Sequence, residues 1–344
     1  MKPSLTIAIP TYNRADRLQA QLERLMPQLT AETLCCVYDN ASTDETCAMV
    51  QRIVSPQLVY ARATENGGMC RNFLRCFEEC QTKWLWVLSD DDPVSPTAIK
   101  ELLALLENQT CDFIHTSIGG PSYAANTVVS DVESLFQHTS FTMLNWLSSG
   151  IYRVSSVQPL LRVFNDSMFT WCPHSVVILS LVESRGGKVL LSNVNLIGGE
   201  GGAVGWSALD CLIRISLIPE YMAQPRNQKI LAQSIMHEWY FSGLFMGLRE
   251  LRTPVDIQKW KRIFRQASAN LKSYNAQGAF LYFLHHWHRR GSRKRAFVHV
   301  FYALMLRALA TCPPSFFHSL VRVLPLPGEA RKAYQARNEF KARA

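Results

Sequence analysis

No apolar run in this 344-residue chain is long enough to cross a bilayer, which argues against a multi-pass membrane protein. Its ten cysteines contain no Cys-x-x-Cys pair. Cys35 and Cys36 are adjacent, and Cys76 and Cys80 share helical spacing, so free thiols in a reducing compartment fit better than a disulfide framework or a zinc site. No Gly-x-Gly-x-x-Gly fingerprint follows the first strand pattern, which argues against a dinucleotide-dependent dehydrogenase. Met1-Lys2-Pro3-Ser4 runs straight into that strand pattern and does not read as a secretory leader. Acid is scarce at one end. Residues 245–344 carry 19 Lys/Arg against 4 Asp/Glu, whereas the preceding 244 carry 17 against 23. The net charge of +9 is thus a near-neutral to acidic body plus a basic region suited to an anionic partner.

What is present is a regular alternation. Strand patterns at 5–10, 34–38, 58–62, 84–88 and 111–116 alternate with helical spacing at 15–29, from about Thr46, at 69–80 and at about 96–107. This predicts an α/β fold with a mostly parallel sheet and helices on both faces. In such sheets ligands bind at the carboxyl ends of the strands. Polar residues gather at four of those ends: Thr11 to Arg14, Asp39 and Asn40, Asn66 to Gly68, and Asp90 to Asp92. Residues 119–150 read as a polar link that turns helical from about Ser130 to Leu147, and a further helix starts near Pro173. Beyond about residue 228 the chain is helical, with amphipathic stretches at 230–251 and 255–271.

Trp84-Leu85-Trp86-Val87-Leu88 ends abruptly in Ser89-Asp90-Asp91-Asp92-Pro93. Three adjacent carboxylates raise one another's pKa unless a cation sits among them. Hard oxygen ligands of this kind suit Mg²⁺ or Mn²⁺. The other reading is a solvated acidic turn, with Pro93 and Ser95 opening the next helix.

Four ordered motifs carry a family resemblance: Ile7-Ala-Ile-Pro-Thr-Tyr-Asn-Arg14, Val37-Tyr-Asp-Asn-Ala-Ser-Thr-Asp44, Glu65-Asn-Gly-Gly68 followed by Arg71-Asn72, and Ser89-Asp-Asp-Asp92. Together, over about residues 4–118, the chain resembles the family 2 glycosyltransferases of the GT-A (Rossmann-like) fold. Leu147-Ser-Ser-Gly150 and Cys172-Pro-His-Ser175 are similar to stretches in O-antigen sugar transferases of the abequosyltransferase type.

The resemblance implies a nucleotide-diphosphate-sugar donor, a divalent cation and inversion at the sugar. Thr11 and Tyr12 would line base and ribose, and Asp39 would accept an N–H from uracil or thymine. Asn66 would join the donor site. Arg71 would meet a phosphate, and Arg14 either does the same or faces solvent. The family's Asp-x-Asp maps onto Asp90 and Asp92 as the metal pair, with Asp91 able to replace either. The Glu-Asp pair that supplies the usual general base is missing. His174 is therefore the candidate base, or else a helix-start histidine that only hydrogen-bonds. Asp166, Glu200 and Asp210 are the fallbacks. Trp206 either stacks on a sugar or packs in a core.

The implied domains are a GT-A domain over 1–225, with a nucleotide half 1–118 and an acceptor half 119–225, and a basic amphipathic helical extension over 226–344. Residues 280–326 set aromatic and aliphatic side chains beside an Arg/Lys cluster, a pattern that suits an anionic membrane surface. Their helical spacing argues for lipid and against nucleic acid. The expected protein is a cytoplasmic, membrane-peripheral transferase that extends a lipid-linked glycan in bacterial surface polysaccharide synthesis. The alternatives are transfer to a protein acceptor and a catalytically silent scaffold that binds nucleotide sugar.

Overall fold

The computed structural model describes residues 3–120, 122–198, 208–235 and 254–272. The chain forms two compact units, Met1–Gly202 and Ala203–Ala344.

The first unit is built on one sheet of eight strands: β1 (Leu5–Thr11), β2 (Thr33–Asp39), β3 (Leu58–Arg62), β4 (Trp84–Val87), β5 (Phe113–Ile118), β6 (Thr127–Val129), β7 (Gly150–Arg153) and β8 (Val189–Ile197). Their order across the sheet is β3-β2-β1-β4-β7-β5-β8-β6. β3, β2, β1 and β4 pair in parallel, as do β5 and β8. β7 is antiparallel to both β4 and β5, and β6 is antiparallel to β8. The sheet is therefore mostly parallel with two reversed strands. Every residue of β1 and of β4 is buried, as expected for central strands covered on both faces.

The helices of this unit are α1 (Ala15–Leu25), α2 (Thr46–Gln51), α3 (Met69–Glu78), α4 (Ala98–Leu106), α5 (Val132–His138), α6 (Phe141–Leu144), α7 (Val154–Val157), α8 (Leu161–Asp166) and α9 (Pro173–Arg185). α1 buries Leu18, Leu22 and Leu25, and with them Gln21. That amide earns its burial through hydrogen bonds. Gln21 Nε2 donates to the carbonyls of Ser89 and Asp92, and its Oε1 accepts from the Val94 N–H. The helix thus holds the backbone of the triple-aspartate turn in place.

All five strands expected from the sequence are present, within about two residues at their ends. The helical stretch expected from Ser130 to Leu147 is broken in two. Asp131 caps α5 by accepting the Ser134 N–H, and Ser140 caps α6 by accepting the Met143 N–H. Each cap starts a new helix and so ends any continuous one. β6, β7 and β8 are additions. β7 opens with Gly150, where a Cβ would lie 2.8 Å from the Tyr152 hydroxyl and 3.1 Å from the Phe113 ring, so only glycine lets the strand close against its neighbours.

In the second unit the described helices are α10 (Ala208–Ile215), α11 (Pro225–Ile235) and α12 (Pro254–Lys272). Lys259 pairs with Asp210 at 3.0 Å, Asn270 donates to Ser216 Oγ at 3.0 Å, and buried Trp260 stacks on Phe264. Among the described residues no helix is long and apolar enough to cross a membrane. Glu200, Trp206 and the basic stretch 280–344 lie outside the described residues.

Candidate active site

The carboxyl ends of β1, β2 and β4 converge on one edge of the sheet, because these strands are adjacent and parallel. The turn after β4 brings Asp90, Asp91 and Asp92 there, and each carboxylate meets a different environment.

Asp90 is buried and compensated. Thr11 Oγ1 donates to its Oδ2 at 2.8 Å, and Arg14 Nη1 donates to its Oδ1 at 2.8 Å. Burial pushes its pKa up, and Arg14 and Thr11 oppose that. Asp91 accepts from Arg14 at 3.1 Å, from Arg17 at 2.9 Å and from the Ser89 hydroxyl at 2.6 Å. Burial works against the charge on Arg14, but Asp90 and Asp91 outweigh it and raise its pKa.

Asp92 has no cation beside it among the described residues. Ser148 Oγ donates to its Oδ2 at 2.6 Å and Trp146 Nε1 to the same oxygen at 3.1 Å. Its Oδ1 accepts no hydrogen bond from the described residues. Burial raises the pKa of Asp92, Ser148 and Trp146 lower it, and the neighbouring aspartates raise it again. A buried carboxylate with one oxygen and its charge unpartnered among the described residues fits a divalent cation that keeps water and phosphate as its other ligands. Among the described residues no three His, Cys, Asp or Glu side chains form a metal cluster. A cation here would therefore rest on Asp92, with Asp90 beside it, and take the remainder of its shell from ligand and solvent.

The end of β2 is a second polar node. Asp39 is fully buried. Its Oδ1 accepts the Ser42 N–H and hydroxyl, and its Oδ2 accepts Tyr60 Oη at 2.5 Å and lies 3.4 Å from Arg62 Nε. Three hydrogen bonds take three of its about four lone-pair sites, and a base N–H would share the remaining site, on Oδ2, with the Arg62 guanidinium. Asn40 and Asn66 bind each other at 2.7 Å, and their oxygens also take the N–H groups of Gly67 and Gly68. Gly68 sits at φ +85, a backbone that side chains rarely adopt, and α3 starts directly after it.

Two expected residues, Arg71 and Asp166, stand apart, whereas Tyr12 stays at the strand end. Arg71 pairs with Glu78 at 2.8 Å, two turns along α3, and is half exposed there. Tyr12 is 40% exposed at the end of β1, open for stacking. Asp166 lies on α8, 3.7 Å from Arg162, and both side chains are exposed.

His174 is buried at the first turn of α9. Its Nε2 lies 3.1 Å from the Asn145 carbonyl, which can only accept, so Nε2 carries the hydrogen. Nδ1 then holds a lone pair, and it is buried without a partner. Burial pushes the pKa down to about 4. Asn145 precedes Trp146, so one short turn touches both His174 and Asp92.

Arg17, Trp146 and Ser148 are site residues that pattern reading did not single out. Arg17 follows Arg14 by one helical turn, a spacing visible in the sequence. Ser148 falls inside the Leu147–Gly150 motif but carried no role there.

Abequosyltransferase RfbV of Salmonella typhimurium (strain LT2) is 29% identical over 110 residues, covering 30% of this chain and 33% of that protein. The match thus spans about a third of the curated relative. Among solved structures, S. aureus TarS 1-349 is 14% identical, covers 86% of this chain and 93% of its own, and has a TM-score of 0.54. Its complex with UDP-GlcNAc has a TM-score of 0.56 at the same identity and coverage. At that identity the likeness is one of fold, and it agrees with the GT-A-like arrangement of the sheet. Residues 6–155, a little under half of the chain, match the family Glycosyl transferase family 2.

Proposed function

We propose that the protein transfers a sugar from a nucleotide-diphosphate donor to a lipid-linked glycan. The observation that carries this reading is Asp92, a buried carboxylate whose Oδ1 has no donor among the described residues, beside two aspartates that already have cationic partners. Mg²⁺ or Mn²⁺ held at Asp92 would offset the negative charge of the donor diphosphate. Thr11 orients Asp90, Arg14 and Arg17 hold Asp91, and Tyr12 offers an open ring to base or ribose. Asp39, braced by Ser42, Tyr60 and Arg62, presents a fixed acceptor at the base end. Arg71 would reach a phosphate only by leaving Glu78.

His174 is the proposed base. A pKa near 4 leaves it neutral at pH 7, with its lone pair on Nδ1. That basicity matches the Asp or Glu it would replace. The acceptor assignment rests on the basic, aromatic-rich stretch 280–344, which suits an anionic membrane surface on the cytoplasmic side. The structure in complex with UDP-GlcNAc belongs to TarS; for this chain the donor class follows from the family and the acid turn.

A second reading has one observation in its favour. His174 is nearly inaccessible, and no Glu-Asp pair stands in its place, so a nucleotide-sugar-binding protein without turnover would look the same. A panel of nucleotide sugars, screened for thermal stabilisation with and without Mn²⁺ and then for hydrolysis or transfer, separates the two. Mn²⁺-dependent stabilisation with turnover supports the transferase, and stabilisation without turnover supports the binding protein. No response to any donor overturns both.

A further inference from the structure

Among the described residues, Asp92 is held from one side only. Ser148 Oγ accepts the Ser89 N–H at 2.8 Å, which directs its own hydrogen toward Asp92 Oδ2, 2.6 Å away. The Ser148 carbonyl accepts Trp86 Nε1 at 2.7 Å, so the residue is pinned through both backbone and side chain. Ser148 is fully buried. Trp146 Nε1 brings a second donor to the same oxygen at 3.1 Å. Neither donor touches Oδ1. Two neutral donors converging on one carboxylate oxygen set the plane of the carboxylate and leave the other oxygen without a donor among the described residues. A hydroxyl and an indole also add no positive charge, so the carboxylate keeps its full attraction for a cation. An arginine in either place would compensate Asp92 as Arg14 compensates Asp90.

We infer that Trp146 and Ser148 are positioning residues, which fix Asp92 so that Oδ1 alone is offered to a divalent cation. This rests on the reading of Asp92 in the preceding subsection. Groups that orient a metal ligand in this way contribute about 10–100-fold to metal affinity. The Leu147-Ser148-Ser149-Gly150 motif thereby gains a chemical reason. Its strand start at Gly150 anchors the turn between β4 and β5, and its serine reaches the acid cluster.

The test is Mn²⁺ binding to the full chain, followed by the electron paramagnetic resonance signal of the free ion. It is run with UDP, GDP, CDP and dTDP in turn, on the wild type, Ser148→Ala and Trp146→Phe. Each variant removes one donor, and Phe keeps most of the ring volume. The expected result is Mn²⁺ affinity about tenfold lower in each variant, with metal-free nucleotide affinity unchanged; the melting temperature of Ser148→Ala should fall, because the Ser89 N–H and Asp92 lose a buried partner. Wild-type Mn²⁺ binding with variants within twofold of it overturns this inference alone. An equal fall in metal-dependent and metal-free nucleotide binding also overturns it, because the residues would then be only structural. No wild-type Mn²⁺ binding with any diphosphate overturns the underlying reading of Asp92 as well. Should Ser148→Ala not fold, Trp146→Phe decides by the same criteria.

Discussion

Arg14 Nη1 lies 2.8 Å from Asp90 Oδ1, an ion pair between residues 76 positions apart in the chain. It joins the end of β1 to the turn after β4 and gives the first aspartate of the triplet a cation of its own. Asp92, two residues on, has none among the described residues. Position in the triplet therefore does not set the chemistry of these carboxylates; the partner each one meets does.

Replacing Arg14 with Met should destabilise the protein at pH 7 by about 1 kcal/mol. The guanidinium is 36% exposed, which discounts the pair toward the value of a surface ion pair. The loss should shrink at pH 4, because Asp90 without its partner takes up a proton more readily and sheds the uncompensated charge. Urea unfolding at both pH values checks this. A loss that grows in acid would contradict it.

Asp92→Asn should lower sugar transfer by at least about 100-fold, the scale for removing one group that stabilises developing charge. It should also raise the melting temperature at pH 7. Burial raises the pKa of Asp92, so the folded state binds that proton more tightly than the unfolded chain does. Its ionisation then costs stability as pH rises through the folded pKa. Turnover equal to the wild type would remove Asp92 from the cation site.

His115, fully buried on β5 between the Met143 carbonyl and the hydroxyls of Tyr123 and Ser149, and His174 should make the protein acid-sensitive together. Burial pushes both down to about 4 from an ordinary 6.5. A lowered histidine pKa means stability is whole above 6.5 and is lost as pH falls toward 4. By pH 5 each should have cost about 2 kcal/mol. Urea midpoints from pH 7 to 5 measure the slope, and His174→Asn, which keeps an N–H for the Asn145 carbonyl, should remove about half of it. An unchanged slope in that variant would show that His174 does not stay neutral in the fold.

His174→Ala should cut kcat by about 10²–10⁴-fold, the usual contribution of a general base. Donor affinity should move by less than about threefold, because the histidine lies on α9, outside the proposed donor site at the ends of β1, β2 and β4. Steady-state kinetics with varied donor separates the two quantities. A change confined to donor affinity would exclude His174 as the base.

Removing residues 280–344 should move the protein from membrane to soluble fractions. Each Lys or Arg near an anionic surface contributes about 1 kcal/mol, and this stretch holds many of them. Flotation with anionic and with neutral vesicles reads the effect. Equal binding with and without the segment would refute the interfacial assignment.

The parallel half of the sheet was legible because each strand there is an apolar run closed by a polar turn. β7 was not. It is four residues long, and it exists because β4 and β5 both lack a partner on the side it fills. β8 hid for another reason: Ser192, Asn193 and Asn195 interrupt its apolar pattern, and it meets β5 with a shifted register. Asp39 was rightly placed at a strand end, but the contacts that Ser42, Tyr60 and Arg62 make to it involve residues up to 23 positions away. Arg71 looked like a helix-start anion contact, and Glu78, seven residues on, turned it along the helix instead.

Short-range pattern was enough for the family resemblance, the strand-end clustering and the identity of the acids, since each of these is written in neighbours a few residues apart. Which aspartate keeps a free oxygen, which histidine nitrogen holds the proton and which serine orients the carboxylate were decided only when β4, β7 and α9 came together. Those outcomes depend on partners between 29 and 76 residues away, and a hydrogen bond to such a partner is set by packing rather than by sequence spacing.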